Sequence, residues 1–230
     1  MTAPVLETNI DYQRIHQLSE EFTRHWKRLQ ALYLDAVAGF SFVLNHVETE
    51  QAQARSFVQG SELDSQDFQD TRMFSYAEIF DENFCTTSIH RATQGEVRSR
   101  NAPGGSNFTT LGQLCLISFY DFWQDYLRRE YVIAKGCLDR DEKNSEVVKQ
   151  CLRDHASHDL WGDLYYLRTS IVHNQGIATS AVAKCKLIKW FKPGDPISLS
   201  PDHMRAFFLA LLTYRNALFS EQFPEQHIYM

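Results

Sequence analysis

Between residues 11 and 50 the apolar side chains recur with helical spacing and almost without a gap. Ile15, Leu18, Phe22, Trp26, Leu29, Tyr33, Ala36, Phe40, Val43 and Val47 step by three or four. That is one apolar stripe of an amphipathic helix, and a run of this length extends about 50 Å if it stays straight. Gly39 is its weakest point, where a bend or break is expected. A helix this long needs other helices or a sheet to cover its stripe. The chain holds only 10 Gly and 6 Pro among 230 residues, too few breakers for a turn-rich all-β fold.

The same periodicity recurs further on. Phe108, Leu111, Cys115, Phe119, Phe122 and Tyr126 mark a second long helix that starts near Asn107, with Thr110 and Gln113 as its expected capping box and Lys135-Gly136 as its end. Leu160, Leu164, Leu167 and Ile171 mark a third over 159–174, closed by Gly176. Ser200-Pro201 opens the last, with Met204, Phe207, Phe208, Leu211, Leu212, Leu218 and Phe219 on its apolar side. Tyr76 to Phe80 reads as one short helix, Asn101 to Ser106 as a loop and Asp139 to Asn144 as a charged turn. Between Lys186 and Leu199 the alternation around Pro193-Gly194-Asp195 predicts a small β-hairpin. The expected fold is mainly α: an antiparallel helical bundle with a β-hairpin before the last helix, in one domain.

Composition narrows the functional classes. Hydrophobic residues make up 43% and charged residues 23%, an ordinary globular balance. The formal net charge of -6 offers no global positive field for nucleic acid, so any such role rests on a local patch. The five cysteines are scattered and form no C-x-x-C pair, which reads as free thiols in a reducing compartment. No apolar run approaches a membrane span and the first ten residues lack a leader pattern, so a cytoplasmic protein without membrane contact is expected.

The segment with the clearest chemical content is Leu167-Arg168-Thr169-Ser170-Ile171-Val172-His173-Asn174. Arginine supplies a permanent charge and a fork of donors that matches phosphate oxygens. Histidine exchanges protons near neutrality. An arginine, a short spacer and a histidine near the end of a helix resemble the motif of the HEPN superfamily. The order of elements over residues 107–222 is similar as well. Thr169 stands where the family often has Asn, Asp or His. The resemblance implies a metal-independent ribonuclease of the toxin or phage-defence kind, with an antitoxin or defence protein as a possible partner. It also implies a homodimer in which two motifs face each other across an RNA-binding cleft. Arg168, His173, Thr169 and Asn174 are then the catalytic candidates. The alternative is a non-catalytic module of the same kind that binds nucleotide, RNA or a protein.

Lys184, Lys186, Lys189 and Lys192 follow the motif and are candidate RNA contacts; Arg91, Arg98 and Arg100 form a second basic group. No cofactor is expected. Cys151, His155 and His158 would share a helix face with side-chain types that zinc accepts, but lack a fourth ligand nearby, so no metal is assigned. Gly60-Ser61 with Asp64 is a faint match to nucleotidyltransferase elements and lacks the strand that such chemistry needs.

Overall fold

The computed structural model describes residues 10–75 and 91–220. The expected helix at Tyr76 to Phe80, like Cys85, lies outside them. The chain is mainly helical, with one small antiparallel strand pair. Helix α1 spans Tyr12–Val58 and α2 spans Gln66–Thr71. Strand β1 (Met73–Phe74) pairs with β2 (Ala92–Thr93), Met73 opposite Thr93 and Phe74 opposite Ala92. Then come α3 (Gln94–Asn101) and α4 (Ser106–Phe122). A π-helical turn at Trp123–Leu127 leads from α4 into α5 (Arg128–Ala134). Helices α6 (Ser145–Ala156), α7 (Asp159–His173) and α8 (Pro201–Ser220) complete the chain.

Two compact units can be distinguished. Among the described residues the first combines 10–31, 113–198 and 202–220. Its core is aromatic. Phe22 meets Phe119 edge-on at 5.0 Å, and Trp123 stacks on Trp161 at 4.4 Å with an interplanar angle of 7°. Tyr214 of α8 stands edge-on to both tryptophans, at 5.3 and 5.1 Å. Leu18, Leu127, Leu164, Leu167 and Phe207 are fully buried around them. Burial of side chains this large is the main driving force for such a core, at about 1.5–3 kcal/mol each.

The second unit covers Leu32–Gly112 and Leu199–Pro201. Val47, Phe74, Ala92 and Val97 form its small buried cluster, with Val43 packed against it. Asp70 is its polar anchor. It accepts hydrogen bonds from Gln51 at 3.0 Å and Gln66 at 2.7 Å, and pairs with Arg98. A Cβ on Gly95 would lie 2.7 Å from that of Asp70, so only glycine lets α3 approach so closely.

Three local expectations need correction. Helix α1 passes Gly39 without a break, since that residue is exposed and the propensity cost of one glycine, about 1 kcal/mol, is small beside the burial of the apolar stripe on either side. Helix α4 starts at Ser106, next to the expected Asn107, but Thr110 and Gln113 lie inside it and do not form its cap. The turn at Gly104-Gly105 sets the start: Gly104 has φ +81°, and a Cβ on Gly105 would sit 2.5 Å from backbone oxygens of α3. The true capping box is Thr93 with Glu96, at the start of α3. The third correction concerns the hairpin before the last helix, which does not form. A short 3-10 helix covers Ser180–Lys184, residues 186–191 form a bend and irregular chain in place of a strand, and only an isolated bridge joins Ile177 to Pro196.

The reason is Asp163. This carboxylate is 2% exposed and accepts the backbone N–H groups of Lys186, Leu187 and Ile188 at 2.9, 2.7 and 2.7 Å. Backbone donors that a strand ladder would use are committed to α7 instead.

Candidate functional site

Helix α7 carries the Arg–His motif, and its amphipathicity decides what the motif can reach. Leu160, Asp163, Leu164, Leu167 and Ser170 are buried on one side. Gly162, Tyr165, Val172 and His173 are exposed on the other, with Tyr166, Arg168 and Thr169 half-buried between. Arg168 leaves the helix at one edge of the free face and His173 at the opposite edge. Five residues on a helix correspond to a rotation of about 140° and a rise of about 7.5 Å.

Arg168 faces α4, its Nε 3.5 Å from an Asp121 oxygen, an ion pair without a hydrogen bond. His173 is the last helical residue and, among the described residues, its imidazole has no hydrogen-bond or ion-pair partner. The turn behind it is firmly built. The Gly176 N–H donates to the Ser170 carbonyl at 3.2 Å, and Gly176 takes the expected left-handed conformation at φ +76°. Gln175 is also left-handed, at φ 52°. The fully buried Ser170 hydroxyl accepts the Thr179 N–H at 3.1 Å and donates to the Tyr166 carbonyl at 2.9 Å. His173 therefore projects from a braced helix end.

The other candidates are placed unequally. Thr169 lies on the free face between Arg168 and His173. Asn174 is committed to the turn, its amide donating to the Ile177 carbonyl at 2.7 Å. Lys184, Lys189 and Lys192 are exposed. Lys186 is exposed too but pairs with Asp159 at 2.7 Å, an interaction that raises its pKa. Arg98 is bound to Asp70 and belongs to the second unit.

Cys151, His155 and His158 are not brought together as ligands. The Cys151 thiol donates to the Cys137 carbonyl at 3.0 Å, and His158 Nδ1 accepts the Leu160 N–H at 3.2 Å as the N-cap of α7. Among the described residues no group of three His, Cys, Asp or Glu side chains is arranged to hold a metal ion. Burial pushes the Cys115 and Cys185 thiols up to about 11, so neither is a ready nucleophile at neutral pH. Among the described residues no helix is long and apolar enough to cross a membrane.

One feature is absent from the sequence-based expectations. The first turns of α7 share a cavity of about 460 Å3 with the π-helical turn, α5 and α6. Trp123, Trp161, Tyr120, Tyr165 and Tyr166 supply aromatic walls, while Arg128, Lys149 and Arg153 supply charge. Helix α6, which contributes two of these cations, was not expected. Its signals are present in the sequence: Asn144 as N-cap, and Glu146 three residues before Lys149 as an opposite-charge pair.

No protein-family model matches this chain, and no curated protein or solved structure matches it either.

Proposed function

We propose that the chain is a HEPN-like, metal-independent ribonuclease that acts as a homodimer, with Arg168 and His173 as its catalytic pair. The observation that carries this reading is the free face of α7. It bears a guanidinium paired with Asp121 and, one and a half turns on, an unpartnered imidazole. Cleavage of RNA by its own 2′-hydroxyl needs little more. One histidine removes the proton of the attacking hydroxyl, the new oxygen–phosphorus bond forms, and the 5′-oxygen leaves with a proton from an acid. Arginine stabilises the charge that builds on the phosphoryl oxygens. Two histidines, one from each copy, fill the roles of base and acid.

The separation of the two side chains supports the requirement for a second copy. Flanking the free face from opposite edges, Arg168 and His173 of one chain address one phosphate less readily than residues of two chains facing each other across a two-fold axis. Val172 and Ile177 beside His173 are exposed, at 46% and 40%, and give that approach an apolar component. Light scattering at micromolar concentration tests the assembly, and labelled RNA beside matched DNA tests the chemistry. A dimer that cuts RNA and spares DNA is expected. A stable monomer in the presence and absence of RNA contradicts the shared-cleft geometry.

A further inference from the structure

We propose that the cavity between the π-helical turn, α5, α6 and the start of α7 binds a small planar aromatic molecule that carries a phosphate. Its volume of about 460 Å3 lies within the range of roughly 300–1,000 Å3 typical of small-molecule sites. The wall chemistry has two parts. Tyr165, 50% exposed, and the half-buried Tyr166 present aromatic surface on the α7 side, with the buried Trp123–Trp161 stack as the rigid part of the wall, and such surfaces hold flat rings well. Opposite them stand Arg128, Lys149 and Arg153, and none of the lining residues is Asp or Glu. In a chain with net charge -6 and more carboxylates than cations, three cations around one carboxylate-free concavity single out an anion.

Arg128 carries most of the argument. It is half-buried, and its Nε is shielded from solvent without a hydrogen-bond partner among the described residues. Burial pushes its guanidinium below the ordinary value, with Tyr120 and Asp125 opposing that shift. A bound phosphate offsets this desolvation with charge-assisted hydrogen bonds. Lys149 is paired with Glu146 at 2.9 Å on the exposed surface, whereas Arg153 donates only to the neutral Gln150 amide oxygen at 2.7 Å. Arg128 and Arg153 thus leave two guanidinium groups without a carboxylate on a hydrogen bond, which favours a phosphate. Gly162 leaves the α7 side open, since a Cβ there would meet nothing within 4 Å.

This inference is independent of RNA cleavage and is tested by binding alone. Titration calorimetry on the full chain would compare naphthyl phosphate with naphthol and with inorganic phosphate. Naphthyl phosphate is expected to bind at least roughly tenfold tighter than either half, because ring and charge act together. Gly162→Phe fills the concavity from an exposed helical position and should abolish binding while the melting temperature holds. Arg128→Gln should weaken binding by roughly tenfold or more, which decides the matter even if the glycine variant folds poorly. Adenosine monophosphate serves as a further arm: binding places nucleotides among the ligands, and failure beside bound naphthyl phosphate points to other aryl phosphates. Naphthol binding as tightly as its phosphate, unchanged affinity in Arg128→Gln, or no binding of naphthyl phosphate at millimolar concentration would overturn the proposal.

Discussion

Asp163 shows how one residue shapes the surroundings of the motif. A carboxylate 2% exposed is costly to bury unless its oxygens are satisfied, and three consecutive backbone amides satisfy this one. Replacing it with alanine leaves those amides without acceptors inside the protein. Asp163→Ala should therefore destabilise by about 3–5 kcal/mol, measured by urea unfolding. His173 offers the opposite case. It is exposed at a helix end, so His173→Ala should stay within about 0.5 kcal/mol of the parent, whereas Leu164→Ala, at 0% exposure, should lose about 2–5 kcal/mol. If the histidine variant proves the less stable of the two, His173 is structural and the catalytic assignment fails with it.

At the scale of elements, α7 contains a glycine that its own structure does not require. Gly162 sits at the end of the first turn, away from any positive φ, and a Cβ there meets nothing within 4 Å. Gly162→Ala should raise stability by about 1 kcal/mol through helix propensity alone, read as a higher urea midpoint with an unchanged slope. The helices with strong apolar stripes were legible from sequence: α1, α4, α7 and α8 fall where their spacing puts them, and Lys135-Gly136 ends α5 as expected. What was not legible has physical causes. The expected hairpin failed because Asp163, more than twenty residues upstream, captures its amides, and no local pattern announces that. Helix α6 was missed because its amphipathic pattern rests on few apolar residues, Val147 and Val148 followed by Leu152. The Arg–His motif could be read directly. The cavity beside it could not, because its cations and rings come from two stretches of chain, 120–128 and 149–166, that meet only on folding.

For the molecule as a whole, a histidine at the aromatic core of the first unit ties stability to pH. His25 stacks on Phe122 at 4.2 Å and lies 5.2 Å from Phe119. Burial lowers its pKa below 6.5, opposed by a hydrogen bond to the Ser118 backbone and helped by nearby Arg28. Above pH 6.5 the ring is neutral both folded and unfolded, and no penalty arises. As pH falls below 6.5 the unfolded chain takes up a proton that the folded one resists. Stability then falls until the lower folded value is reached. His25→Gln should flatten the decline between pH 7 and 5 in a pH series of melting temperatures; an unchanged slope would place the acid sensitivity elsewhere.

The central claim is that Arg168 and His173 cleave RNA through its own 2′-hydroxyl. End-group analysis of RNA incubated with purified protein in excess EDTA tests it most directly, with Arg168→Ala and His173→Ala in parallel. The account predicts 2′,3′-cyclic phosphate ends, or their hydrolysis products, from the parent chain and no cleavage by either variant. Cleavage that needs added metal ion, or that persists in His173→Ala, would contradict it.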